Sequence, residues 1–253
     1  MINVILVGAN GKMGQVICRI ADESSYVNIV CGIDINTEKR NSFPVYSSFS
    51  EVKEDCDVII DFSHPSSLAS TLQYAISNKK AIVIATTGLS ADQLLSIKDA
   101  SQIIPVFFSA NMSLGVNLII QLAKKATALL EDSFDIEIIE KHHNLKIDAP
   151  SGTALAIADA INETCSQSNE YVYDRHSVRK KRSKREIGIH SVRGGTIVGE
   201  HDVIFAGNDE IIEIKHTATS KEIFAVGAVK AARFLYQKAP GLYNMDDLIA
   251  AIC

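Results

Sequence analysis

The heptapeptide GANGKMG, Gly8 to Gly14, follows an unbroken apolar run, INVILV (2–7), and opens a segment with Met13, Val16, Ile17 and Ile20 at helical spacing. A strand that ends in a glycine turn and gives way at once to a helix leaves few folds open. Small residues at such a junction let the backbone approach a bound anion, and the helix start offers unpaired N–H groups and the positive end of its dipole. The spacing G-x-x-G-x-x-G is a variant of the dinucleotide fingerprint. A second apolar run, Val27 to Ile33, ends in Asp34, 20 residues after Gly14. A carboxylate at that position accepts hydrogen bonds from an adenosine ribose. The competing reading is a glycine-rich turn that binds no dinucleotide; the strand–turn–helix context and Asp34 weigh against it.

The rhythm continues. Asp57 to Asp61 (DVIID) and AIVIATTG from Ala81 read as strands, with a helix from Pro65 through Asn78 between them. Ser90 and Gln93 fit a capping box, and IIPVFFS from Ile103 is a fifth strand. Apolar runs without alternation mean strands covered on both faces, so the first part is expected to be α/β: a Rossmann-type, doubly wound parallel sheet. After Asn111 the pattern changes. Leu114 to Glu131 is one long amphipathic helix, and FDIEIIE (134–140), TIVGEHDVIFAG (196–207) and EIIEIKHTA (210–218) alternate as strands with one wetter face do. Helices are expected from Thr153 to Thr164, from Lys221 to Gln237 and, capped by Asn244 with Asp247 at N3, from Met245 to Ile252. The domains read as a dinucleotide-binding part over 1–113 and an α+β part over 114–220, with the helical residues from about 221 to 253 packing back onto the first.

Composition limits the partners. The 253 residues carry a net charge of -5, and 47% are hydrophobic. An acidic chain without a supporting motif is not a nucleic-acid binder. No segment reaches the roughly 18 unbroken apolar residues of a membrane helix, and the N-terminus lacks the basic region of a signal peptide. Cys18, Cys31, Cys56, Cys165 and Cys253 are scattered and odd in number, which argues against a disulfide framework or a metal site and for reduced thiols in the cytoplasm. Cys253 is expected to be exposed. The basic run RKKRSKR (179–185) reads as a solvated, mobile loop, ahead of a nucleic-acid patch or a lure for an anionic substrate.

The second chemical signal is EKHHNLKIDAPSGTAL, from Glu140 to Leu155. A nicotinamide delivers hydride, and reduction of a C=C or C=N bond also requires a proton donor; histidine titrates near working pH. Ser151, Gly152 and Thr153 start a helix whose N–H groups, with the Thr153 hydroxyl, can grip a carboxylate. Lys146 adds positive charge. Of His142 and His143, one can bind and one can donate.

These blocks, with ATTG, SANMS and SVRGGTIVGEHDVIFAG, resemble the dihydrodipicolinate reductase family nearly end to end. The resemblance implies a Rossmann domain, a second domain that binds substrate and builds a homotetramer, and NAD(P)H-dependent reduction of a cyclic imine dicarboxylate in lysine biosynthesis. It implies His142 as the acid/base residue and Lys146 as a second proton-transfer or polarising group. His143, Gly152 and Thr153, with Ser151, are implied as binders of substrate carboxylate, and Arg193 as a further partner. Gly8, Ala9, Asn10, Gly11, Lys12 and Met13 are implied at the pyrophosphate and Asp34 at the ribose. Ala85, Thr86 and Thr87, with Ser109, Ala110, Asn111 and Met112, are implied on the nicotinamide side.

Three positions depart from the family's pattern. Ala85 stands where Gly is usual, Met112 where an aromatic is usual, and Ile35 where some members carry arginine. A carboxylate at Asp34 repels a 2′-phosphate, so NADH is favoured over NADPH, although Lys39 and Arg40 lie within reach. Two other readings compete. A dehydrogenase acting on aspartate, aspartate semialdehyde or homoserine has no use for the H-H-x-x-K block. A non-catalytic nicotinamide sensor has no need of His142 and Lys146 beside an anion site.

Overall fold

The computed structural model describes residues 1–252, and Cys253 lies outside the described residues. In chain order the first elements are β1 (Ile2–Val7), α1 (Lys12–Asp22), β2 (Val27–Ile33), β3 (Val45–Tyr46), β4 (Val58–Asp61), α2 (Leu68–Ser77), β5 (Ala81–Ile84), α3 (Ala91–Ser101) and β6 (Pro105–Phe108). They continue with α4 (Leu114–Leu130), β7 (Asp135–His142), α5 (Gly152–Thr164), β8 (Glu170–Val172), β9 (Glu186–Arg193), β10 (Gly199–Ala206) and β11 (Ile211–Ala218). Last come α6 (Glu222–Leu235), β12 (Gly241–Tyr243) and α7 (Met245–Ala250). The chain divides into two compact units, Met1–Leu114 with the segment from Glu222 onward, and Gly115–Lys221.

The first unit is built on a seven-stranded sheet in the order β12-β6-β5-β4-β1-β2-β3, with every pairing parallel. This is the expected Rossmann-type sheet. Its central strands are buried on both faces: Ile5, Leu6, Ile59, Ile60 and Ile82 have no exposed surface, and each such side chain contributes about 1.5–3 kcal/mol by leaving water. One core lies on the face carrying Val4, Leu6 and Ile60, closed by α1 and α6; the other carries Ile5, Ile59 and Ile84, closed by α2 and α3. The capping boxes at Ser90–Gln93 and Asn244–Asp247 form as the sequence implied. Two short strands, β3 and β12, carry no periodic signal; each is recruited by pairing with a strand already in place.

The second unit holds a five-stranded mixed sheet, β11-β10-β7-β9-β8. Alternation along β7 and β10 sends Ile136, Ile138, Val203 and Phe205 into a core with Ile119 and Ala123 of α4 and Ile157 and Ile161 of α5. Strand β9 was not expected, yet it is an interior strand between β7 and β8, and its Ile187 and Ile189 face the same core. Its alternation is short and directly follows the basic run. That run departs from the expected solvated loop at Arg182. The guanidinium donates to Asp135, Glu137 and the carbonyls of Ile136 and Glu186, bracing β7 against β9.

Candidate active site

In the first unit, strand order reverses at β1, which lies between β2 and β4; dinucleotides bind at such a switch point. Gly8 follows β1 with φ of 82°, and a Cβ there would lie 2.7 Å from the Phe62 carbonyl oxygen. A Cβ at Gly14 would lie 2.1 Å from the Gly8 oxygen, so α1 comes this close to β1 only with glycine. The N-cap of α1 is Gly11, without a side-chain cap and without an acid in the first turn. Its amides therefore meet no competing anion from their own helix. Ala9 is fully buried and Met13 packs on the core, so these two offer backbone and not side chains.

Asp34 ends β2. Its Oδ2 accepts from the Asn10 amide at 2.9 Å and its Oδ1 from the Asn36 amide at 3.0 Å. The Asn10 side chain in turn donates to the carbonyls of Asn36 and Glu38. The glycine loop thus holds the Asp34 carboxylate in place, and each oxygen keeps acceptor capacity. Arg40 donates to Glu38 through Nε and Nη2 at 3.0 and 2.7 Å, and Ile35 is fully exposed. A cavity of about 740 Å³ runs past Gly8, Gly11, Asp34, Ile35, His64 and Tyr74. The close-approach glycines, the open helix start and this cavity fit a dinucleotide.

Ala85, Thr86 and Thr87 follow β5, and Ser109 to Met112 follow β6. Only some of them present side chains. The Thr86 hydroxyl is buried and donates to Asp61 Oδ1 at 3.2 Å, and Met112 is 2% exposed within the core. Met112 therefore fills the interior, and its carbonyl oxygen packs so close to α6 that a Cβ on Gly227 would lie 1.7 Å from it.

In the second unit, His142 ends β7. Its Nδ1 lies 2.6 Å from Glu140 Oε2. Glu140 has no exposed surface. It also accepts from Arg193 Nη1 and Nη2, each at 2.8 Å, and from the Ser151 amide at 3.1 Å. Burial works against a charged Glu140, but the Arg193 fork, His142, Ser191 and the Ser151 amide outweigh it and hold its pKa at about 2. A carboxylate can only accept, so Nδ1 of His142 carries a proton and Nε2 is the nitrogen left for chemistry. Burial lowers the pKa of His142, and Glu140 opposes that shift. Gly199 packs beside the ring: a Cβ there would lie 3.1 Å from His142 Nε2, a tight contact.

Ser151 is the N-cap of α5; its Oγ accepts from the Ala154 amide at 3.1 Å and lies 3.1 Å from His201 Nε2. Beside Gly152 the space is open: an added Cβ would meet nothing within 4 Å. Lys146 Nζ is 2.8 Å from Asp148 Oδ1. His143 has a buried Nδ1 without a partner. Arg193, expected to meet a substrate carboxylate, sets its fork on Glu140 and donates from Nη2 to the Asp148 carbonyl. Two functional neighbours were missed in the sequence, Glu140 and His201. For Glu140 a signal existed: it lies two residues before His142 on a strand and so shares its face.

Family models for the N-terminus and the C-terminus of dihydrodipicolinate reductase match residues 2–112 and 115–249. The 4-hydroxy-tetrahydrodipicolinate reductase of Caldanaerobacter subterraneus subsp. tengcongensis is 55% identical over 249 residues, covering 98% of both chains. That of Clostridium tetani is 49% identical, covering 98% of this chain and 97% of the relative. A dipicolinate-bound dihydrodipicolinate reductase from Paenisporosarcina superposes with a TM-score of 0.82 at 24% identity, over 96% of this chain and 97% of the other. A myo-inositol dehydrogenase from Corynebacterium glutamicum gives 0.63 at 16%, over 100% and 93%. At those identities the two structures speak for the fold. By the family models and the curated relatives together, the chain belongs to the dihydrodipicolinate reductase family.

Proposed function

We propose that this chain reduces 4-hydroxy-tetrahydrodipicolinate, a cyclic imine dicarboxylate, to tetrahydrodipicolinate at the expense of NAD(P)H, in lysine and diaminopimelate biosynthesis. The observation that carries the reading is the shared carboxylate of Glu140, which holds both His142 and the Ser151 amide at the start of α5. A proton donor and an anion-gripping helix start are thereby fixed to one point. The nicotinamide supplies the hydride. His142 supplies a proton from Nε2 to the substrate. Lys146 places an ammonium toward the dianion, exchanging its contact with Asp148 for one with substrate. His143, Gly152 and Thr153 bind carboxylate; Ser151, expected beside them, is buried with its amide on Glu140 and its hydroxyl between Ala154 and His201, so it positions the helix start instead. Gly8 to Met13 face the pyrophosphate, and Asp34 the ribose.

NADH is the favoured reductant, because the Asp34 carboxylate repels a 2′-phosphate, Ile35 brings no charge and Arg40 is paired with Glu38. The enzyme is assigned to the cytoplasm, in keeping with its biosynthetic role and with the free, unpaired Cys18, Cys31, Cys56 and Cys165. A homotetramer is expected; the exposed Leu118, Leu122, Leu129 and Ile211 of the second unit support association.

The test follows the absorbance of NADH or NADPH while the imine is generated in situ from pyruvate and aspartate semialdehyde by the preceding enzyme. Oxidation is expected only with the imine present, and at least as fast with NADH as with NADPH. Equal oxidation without the imine overturns the substrate, and a strong preference for NADPH overturns the reading of Asp34.

A further inference from the structure

We propose that Glu140 is a positioning residue of the reduction, holding His142 by Nδ1 so that Nε2 alone exchanges a proton with the substrate. The inference rests on the reading of His142 as proton donor. Glu140 and His142 stand two apart on β7 and share a face. Glu140 accepts from His142 Nδ1, both Arg193 Nη atoms and the Ser151 amide. A carboxylate has about four lone-pair sites, so none remains for a substrate. Glu140 acts through His142 and never on the ligand.

The charged groups around the imidazole come from every neighbouring segment. Glu140 approaches from β7 itself and Arg193 from β9, paired in register with His142. His201 packs edge-on from β10 with ring centroids 5.3 Å apart. Lys146 follows on the loop after β7, and its charge opposes protonation of His142, as does that of Arg193. Glu140 is the one anion in contact with the ring; the Asp148 carboxylate lies beyond it, on Lys146. Loss of Glu140 leaves the imidazole facing cations and another imidazole, and frees the ring to adopt either tautomer.

The step balances. The C–O bond of the 4-hydroxyl and a C–H bond on the adjacent ring carbon next to the imine break, the hydroxyl and the proton leave together as water, and a conjugated C=C–C=N system results. Hydride forms one new C–H bond as NAD(P)H is oxidised. The electron pair displaced in the ring takes the proton from Nε2–H, and Nε2 is left bare while Nδ1–H stays on Glu140. A solvent proton restores the imidazolium.

The experiment compares wild type, Glu140→Gln, the double variant Glu140→Gln/Arg193→Gln and His142→Gln. The double variant removes the Arg193 cation together with the anion, so that no guanidinium is left without its carboxylate. Circular dichroism and the Kd for NADH report folding. The readouts are kcat against pH and the 15N chemical shifts and titration of the His142 ring, assigned from the signals missing in His142→Gln. Both Glu140 variants are expected to lose kcat on the order of 10²-fold, within the contribution of a positioned general acid. In Glu140→Gln the limb where activity falls with rising pH should move down by about one pH unit, as for a histidine losing an adjacent carboxylate; in the double variant the loss of the Arg193 charge offsets part of that shift. The neutral ring should cease to be held as the Nδ1–H tautomer. A kcat within threefold of wild type overturns the proposal. So does a lowered kcat with the limb and the tautomer unchanged, which marks Glu140 as structural. If wild type itself fails to oxidise NADH with the imine, the function has failed instead, and the tautomer in the Glu140 variants still decides the positioning claim.

Discussion

His201 makes the stability of the second unit depend on pH in a calculable way. It lies in β10 with 4% of its surface exposed. Its Nε2 is 3.1 Å from Ser151 Oγ, and its Nδ1 has no partner. Burial first, then the neighbouring His142, lower its pKa from 6.5 to about 4. Above pH 6.5 the folded and unfolded states are both neutral at this residue, and the native state holds its full stability. As pH falls below 6.5 the unfolded chain takes a proton that the native state refuses until about pH 4. Stability therefore falls across that window and levels off below it. The full shift corresponds to about 3 kcal/mol, and most of it is lost between pH 7.5 and 4.5. His201→Gln removes the titration but costs a pH-independent amount through the lost Ser151 contact. The assay is urea unfolding of both proteins at the two pH values, followed by far-UV circular dichroism because the chain has no tryptophan. The advantage of wild type over the variant should shrink by about 2–3 kcal/mol on going to pH 4.5. An advantage equal at both values refutes the picture of a buried neutral imidazole.

Three further outcomes follow from the geometry. Asp34→Ala should raise the Kd for NADH more than that for NADPH and leave a substantial kcat at saturating NADH; binding titrations with both cofactors check this. Gly14→Ala forces a methyl to within 2.1 Å of the Gly8 carbonyl oxygen and 2.6 Å of the Ala9 one, so α1 must lift; a loss of about 1–3 kcal/mol in unfolding free energy is expected, together with weaker NADH binding. Lys146→Ala should raise the KM for the imine and also lower kcat, since a charge facing a dianion is removed; steady-state kinetics at saturating NADH separate the two effects.

Much of the fold was legible because local signals and tertiary demands coincide. The apolar runs of β1, β2, β4, β5 and β6 report burial on both faces, and the Ser90 and Asn244 caps mark helix starts by side-chain chemistry that acts within three residues. The elements that escaped are those fixed from outside. Strand β12 is three residues long and is recruited by β6, and β3 is two residues added to β2. Strand β9 is hidden behind a basic run whose Arg182 finds its acceptors on β7 and beyond the run itself, a partnership across some 45 residues that no window sees. At the candidate site, residue types that announce chemistry were legible: His142, Lys146, Asp34 and the glycines. Their supporting contacts were not. Which carboxylate holds His142, and that the Arg193 fork points to Glu140, are consequences of strand register between β7 and β9. Met112 shows the opposite limit, since a motif position can lie at the right place in the chain and still turn its side chain into the core.

The most direct test of the account is the kcat of His142→Gln for NADH oxidation with the imine supplied in situ, measured beside its Kd for NADH. A positioned general acid contributes roughly 10²–10⁴-fold. The variant is predicted to lose kcat by a factor in that range while binding NADH as wild type does, because His142 lies in the second unit and the glycine loop and Asp34 in the first. A near-normal kcat in His142→Gln contradicts the account, and would move the proton to Lys146 or to water.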